Sequence, residues 1–491
     1  MITNTLNTTN RKVLKQRAAK AFVNLTIRKI VIQLIVTFSN ILLARLLFPA
    51  DFGIFATISF VIIIALVFTD IGLGSALIVK EKSIRKIEIQ SVFTVQIFLS
   101  IILIGLIYIG SDFIASFYQV GGLAKLLRIY SLLLLFTPFK NISLAQLERD
   151  LHYGRVVFAE LFEQVTTVVF TVTLAFLGYG VLSFIYGNLL GRFLGAILYF
   201  ILAPKKLQFR ISTSGLENLV RFGLPFQLNI ILGLFYGPLV LLYLGYAVGE
   251  VDLGYFQFAA SISIFPLIIS EIIYRIIFSF GARVREDHDF LKKVIEASIL
   301  FTAATTLPII FILGAVGKEL IEIVYTDRWL PSLGAFYAGI ANSGVISFTL
   351  LFNYFILALG KSKIIRNMSL VWAILTWLIA PQLINQYGFI GMSLTSLIIS
   401  LSGYWLYLQL RNYISFTWWP NFMPFFLSAA FSGGLALLMI KSLSLNIFTL
   451  SLTVILASFM YVLILIPFMK NRIMTLFKDV TENLSFIAGT K

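Results

Sequence analysis

The stretch LLARLLFPADFGIFATISFVIIIALVFTDIGLGSALI, residues 42–78, decides how the whole chain is read. It holds one apolar helix end, a turn at Pro49-Ala50-Asp51, and a second apolar helix from Phe52. The 18 residues from Phe52 to Thr69 carry no charge and separate Asp51 from Asp70; Gly72, Gly74 and Ser75 follow. A helix needs about 20 apolar residues to cross a ~30 Å hydrocarbon layer, so the turn and the acid are expected at opposite faces of a bilayer. Composition agrees. The 491 residues are 59% hydrophobic and 12% charged, with mean hydropathy +0.95, whereas soluble domains carry roughly 25% charged residues. No polar twenty-residue window follows residue 20, which leaves no room for an aqueous domain. With no cysteine, disulfides, thiol catalysis and thiolate metal sites are excluded.

Apolar runs set against basic or Gly/Pro breaks predict an all-α polytopic membrane protein with about 14 transmembrane helices. They lie near 27–47, 52–70, 91–110, 126–147, 156–177, 180–203, 222–246, 252–277, 294–316, 331–358, 367–384, 388–410, 421–440 and 446–468. With the N-terminus inside, 27 of the 38 Lys and Arg fall in the tails and in alternate connections, and five fall on the other side. Positive charge collects on the cytoplasmic side, so both termini are expected there. The net charge of +16 is thereby assigned to topology and anionic lipid rather than nucleic acid. The polar, basic N-terminus lacks an early apolar core and is read as a retained cytoplasmic tail.

An internal repeat organises these spans. Asp51-Phe-Gly-Ile-Phe55 returns as Asp252-Leu-Gly-Tyr-Phe256, and the same offset of 201 residues places Asp70 on Glu271. Two six-helix bundles of the same orientation are expected around a central cavity, with two further helices after them. The expected segments are a basic tail at 1–26, bundles at 27–210 and 211–411, two added helices at 412–470, and a tail at 471–491.

Charge inside a membrane costs about 2.5–3.5 kcal/mol on insertion scales, so each instance needs a reason. Lys29, Gln33, Thr37 and Asn40 form one polar stripe on the first span, next to Arg28. Gln257, Ser261, Glu271 and Arg275 share a face of the eighth, where Glu271 and Arg275 are an i, i+4 pair. Arg28, Lys29, Asp70, Glu271 and Arg275 are expected toward the cytoplasmic ends, as a charged mouth that suits a diphosphate, with the acids as gate partners. Snorkelling to the interface is the competing reading of Arg28 and Lys29, and a structural salt bridge that of Glu271 and Arg275. Asn229, Gly233, Tyr236 and Tyr243 share a face of the seventh span that suits sugar, although a core Tyr stripe looks the same. Glu160, Glu163 and Arg192 are expected to neutralise one another inside the first bundle. Gly187, Gly191 and Gly195 at four-residue spacing predict close helix packing there. Trp418 and Trp419 read as an interfacial belt. No P-loop motif occurs, and two histidines make no metal cluster, so neither ATP hydrolysis nor a metal or other cofactor is expected.

LARLLFPADFGIFA (43–56), FTDIGLGSALI (68–78) and LERDLHYGRVVFAE (147–160) resemble the polysaccharide transporter family of lipid-linked oligosaccharide flippases. These belong to the multidrug/oligosaccharidyl-lipid/polysaccharide exporter superfamily, and colanic acid and teichuronic acid exporters are the sub-branch most similar. The resemblance implies alternating-access transport of an undecaprenyl-diphosphate-linked glycan across the bacterial inner membrane. It also implies cations in the first, second and eighth spans that line the cavity, here Arg28 and Arg275, and a groove of the last two spans for the lipid tail. The second span departs, with Asp70 and no internal cation. H⁺ or Na⁺ as coupling ion, surrounding membrane lipids, a polysaccharide polymerase and glycosyltransferases complete the expected partners. Two rival readings stand beside it. A multidrug cation antiporter of the same superfamily would have twelve spans and an acidic cavity; a glycan polymerase or ligase would need longer external loops.

Overall fold

The computed structural model describes residues 28–74, 85–150, 152–203, 208–268, 270, 271, 274, 287–444 and 446–487. Every regular element among them is helical. The short break between α1 (Arg28–Leu46) and α2 (Pro49–Asp70) follows from its sequence. Phe48 is extended and Pro49 takes the first helical position, where a missing N–H costs nothing. Asp51 Oδ2 then accepts from Phe48 N at 2.9 Å, which caps the new helix. At the far end Ile71 and Gly72 turn left-handed, with φ of 45° and 75°, and Asp70 Oδ1 accepts from Gly74 N at 2.9 Å.

The chain divides after Val251 into two compact units. The first continues with α3 (Lys86–Tyr118), α4 (Leu123–Ser131), α5 (Leu133–Arg149), α6 (Tyr153–Phe176), α7 (Val181–Leu202), α8 (Thr213–Tyr236) and the first half of α9 (Pro238–Ser263). The second holds the rest of α9, α10 (His288–Leu320), α11 (Leu333–Ala358), α12 (Ser362–Tyr387), α13 (Phe389–Leu401), α14 (Tyr404–Arg411), α15 (Trp419–Ser442) and α16 (Ile447–Ile487).

Twelve helices among the described residues are long and apolar enough to cross a membrane, so the expected count of fourteen is not confirmed. The count departs from fourteen at two places. The span expected at 126–147 is interrupted at Leu132, where α4 meets α5, and Pro138 breaks the hydrogen-bond ladder again. Neither piece has membrane length alone. Their far ends nonetheless reach opposite ends of α7: Leu123 and Leu127 pack with Ile185, and Leu147 packs with Tyr199. The spans expected at 222–246 and 252–277 are divided at Gly249, and their described parts enter the count as the one stretch Ile230–Ser263. With φ 83° and ψ 175°, that position is open to glycine alone.

In the first unit the glycines of α7 lie against α6, as their spacing predicts. A Cβ on Gly191 would stand 1.9 Å from Thr167 Oγ1 and 2.9 Å from Thr167 Cα; Gly187 meets Thr171 and Gly195 meets Glu163 in the same way. Gly191→Leu is therefore expected to cost about 1–3 kcal/mol through overpacking against backbone, read as a lower Tm of the detergent-purified protein. An unchanged Tm would contradict this packing.

The repeat assigns α8 to the second bundle, but its packing is with the first unit. Gly223 and Gly72 touch backbone to backbone, so that a Cβ on Gly72 would lie 2.5 Å from Gly223 O. Buried Gln227 donates to Val67 O. The approach to α8 is strapped to α3, with Arg210 N on Thr94 Oγ1 at 3.1 Å and Ser212 N on Ser91 Oγ at 2.9 Å. In the second unit the turn before α11 folds inward. Trp329 is fully buried, stacked on Phe258 at 4.2 Å, with Tyr325 edge-on to Phe258. Apolar side chains cover the outside: Ile30, Leu34 and Phe38 follow one exposed face of α1, and Phe98, Ile102, Leu106, Ile109 and Phe113 one of α3. Such faces suit lipid rather than water.

Candidate functional site

Helix α1 separates its faces cleanly. Lys29, Gln33, Thr37 and Asn40 are half-buried, whereas Ile30, Leu34 and Phe38 are exposed. At its start Arg28 Nη1 forms an ion pair with Glu160 Oε2 of α6, with side chains 15% and 25% exposed. Arg28 Nε, also buried, has no hydrogen-bond partner. One turn further along α6, Glu163 receives Lys140 Nζ from α5 at 3.0 Å and 2.7 Å, and Arg192 Nε from α7 lies 3.4 Å away. Gly195 makes room for Glu163, since a Cβ there would lie 2.9 Å from the carboxylate. Lys140 Nζ is also 5.6 Å from the centre of the Tyr199 ring, and the buried Tyr199 hydroxyl has no hydrogen-bond partner. Three cations face two carboxylates. A third acid, Glu148, lies within electrostatic reach of Tyr199, beside Glu160 and Glu163.

The other expected residues are placed as follows. Asp70 is engaged: besides Gly74 N it accepts from the side chain of Gln96, which is buried. Gln257 and Glu271 lie half-buried in the second unit. Asn229 lies on α8, with its side chain outside what is described, and Arg275 lies outside the described residues. The mutual neutralisation expected of Glu160, Glu163 and Arg192 is present between Glu163 and Arg192 only; Arg28 takes Glu160, and Lys140 is the main partner of Glu163. A cation at the start of the first span and an acid near the start of the fifth were both visible in the sequence. Their separation of 132 residues hid the pairing.

Known proteins resemble this chain in sequence and in fold. The profile of the family described as polysaccharide biosynthesis protein matches residues 42–334. The chain belongs to that family. Teichuronic acid biosynthesis protein TuaB of Bacillus subtilis is 24% identical over 275 residues, which cover 55% of this chain and 56% of that protein. Among solved structures, the lipid II flippase MurJ in an inward closed conformation has a TM-score of 0.79 at 17% identity, covering 91% of this chain and 99% of its own. An inward-facing multidrug resistance MATE transporter of the MOP superfamily has a TM-score of 0.60 at 17% identity, covering 79% of this chain and 98% of its own. This member of the polysaccharide biosynthesis protein family is thus a multi-pass membrane protein with the MurJ-type fold.

Proposed function

We propose that this protein is a flippase that moves a polyprenyl-diphosphate-linked oligosaccharide across the bacterial inner membrane by alternating access. The observation that carries the reading is Arg28, largely buried at the start of α1 and held by Glu160, in a fold shared with a lipid II flippase. Glu160 holds Arg28; an arriving diphosphate would compete for the same guanidinium through charge-assisted hydrogen bonds. Lys29, Gln33, Asn40, Asn229, Gln257 and Arg275 are the further proposed substrate contacts, with Asp70 and Glu271 in gating or ion coupling. The moving halves are proposed as 27–210 and 211–411, around a central cavity, with both termini cytoplasmic and the interrupted helix α4–α5 crossing the membrane. A second reading, cation antiport, draws on the likeness to the MATE transporter; the largely buried cations Arg28 and Lys140 speak against a cationic cargo.

Purified protein in proteoliposomes, loaded with a polyprenyl-diphosphate-linked oligosaccharide, tests this directly. Glycan on the inner leaflet is expected to become accessible to an added, impermeant glycosidase faster than in protein-free vesicles. No acceleration, together with expulsion of a cationic dye against an H⁺ or Na⁺ gradient, would transfer the protein to the antiporter class.

A further inference from the structure

Helices α10, α11, α14 and α15 of the second unit leave an apolar cleft of about 380 Å³ between them. Phe348, Phe352, Tyr404, Trp418 and Phe422 line it, and Gly344 lies deeper in. Along α11 it extends from Phe352 to Ala341, roughly 16 Å at 1.5 Å per residue. One leaflet's share of the ~30 Å hydrocarbon core is about half of that core, so the cleft has the depth of a single acyl chain.

One end of the cleft is built for charge. Tyr404, Tyr407 and Arg411 follow one face of α14 at i, i+3 and i+7. The two tyrosine rings stack at 5.2 Å, and the Arg411 guanidinium lies 5.8 Å from the Tyr407 ring centre and donates to its hydroxyl at 3.3 Å. Tyr407 in turn meets Trp418 at 5.7 Å and Phe352 at 5.6 Å. Arg411 therefore stands about one helical turn beyond the mouth. Lys361 Nζ lies 5.0 Å over the ring of Tyr413, two residues further on. Both cations are exposed, and among the described residues neither has an acidic partner. The carboxylate of Glu296, at the same end of the unit, is engaged by Thr417 N and Oγ1 at 2.8 Å each. Tyr and Trp at headgroup depth, with Lys and Arg beyond them, make a membrane-interface arrangement.

We propose that this cleft holds one acyl chain of an anionic phospholipid from the surrounding bilayer, with its phosphate between Arg411 and Lys361. The polyprenyl carrier is a poorer occupant, because the cleft stops at Ala341 and Gly344 after one leaflet's depth. A separate hollow between α15 and α16, lined by Met423, Leu427 and Phe431, uses a different face of α15; that is where the resemblance puts the carrier tail.

The test is lipid retention by the purified full chain, read by native mass spectrometry. Phosphatidylglycerol and phosphatidylethanolamine with the same acyl chains are offered side by side. The wild type is expected to prefer phosphatidylglycerol, by on the order of fivefold for each cation at about 1 kcal/mol per basic group. The pair Lys361→Gln and Arg411→Gln is expected to remove the preference. Val345→Trp, which fills the cleft and leaves both cations in place, is expected to lower retention of both lipids. Equal retention of the two lipids by the wild type, or a preference unchanged in both variants, would overturn the proposal. So would retention of a polyprenyl diphosphate in preference to phosphatidylglycerol that Val345→Trp abolishes, since the cleft would then belong to the carrier.

Discussion

Glu163→Ala is expected to cost the first unit about 3–5 kcal/mol, the usual penalty for leaving a buried cation without its counter-charge. Net stabilities are about 5–15 kcal/mol, so this loss should show as poor recovery of folded protein and a sharply lower Tm. The reasoning rests on burial. Glu163 and Lys140 side chains are 11% and 18% exposed, and both carboxylate oxygens are taken by the ammonium. Arg192 contributes less, because its side chain is 38% exposed and 3.4 Å away, where solvent screens the pair. The companion variant separates electrostatics from packing. Glu163→Ala combined with Lys140→Met removes both buried charges and should recover much of the Tm, whereas a mere cavity at position 163 would persist. Equal Tm values for the single and double variants would remove charge from the account.

Much of this architecture could be read from sequence because a membrane imposes strong rules. Apolar length fixes where helices lie, and the Pro49-Ala50-Asp51 turn appears with the capping that its residue types dictate. The glycine ladder on α7 announced its close contact with α6, since only a missing Cβ allows backbones that near. Where the reading failed, the cause was tertiary or conformational. Leu132 has no sequence signature of a break, being a leucine among leucines, yet α4 ends and α5 begins there. Trp329 sits in a stretch with Asp327, Arg328 and Pro331, which looks like an exposed connection. The rings of Phe258 and Tyr255, brought up by another helix to 4.2 Å and 6.2 Å, help to bury it. The strap from Arg210 to Ser212 was equally invisible. It is held by hydroxyls of Ser91 and Thr94, and such residues suit helix faces and loops alike. Among the candidate binding residues, Arg28 was legible as an intramembrane cation but not as half of an ion pair.

That pair supports the sharpest functional expectation. If Arg28 grips a diphosphate, Arg28→Ala should weaken binding of a polyprenyl diphosphate by roughly 10- to 100-fold, the worth of a charge-assisted hydrogen bond of about 1.5–3 kcal/mol. Glu160→Gln should act in the opposite direction. Glu160 holds the guanidinium, so removing its charge frees Arg28 for substrate and raises affinity. The same change should slow release, because the carboxylate no longer displaces the departing phosphate; turnover therefore falls although binding tightens. A purely structural salt bridge behaves otherwise. Both substitutions would then lower the Tm, and neither would move affinity in opposite senses. Binding of fluorescent polyprenyl diphosphate to the detergent-purified protein, measured beside flipping in proteoliposomes, distinguishes the two. The double variant completes the comparison: with Arg28 already absent, Glu160→Gln should change affinity no further, because its effect passes through the guanidinium. An affinity gain from Glu160→Gln that survives in the Arg28→Ala background would place the diphosphate on some other group.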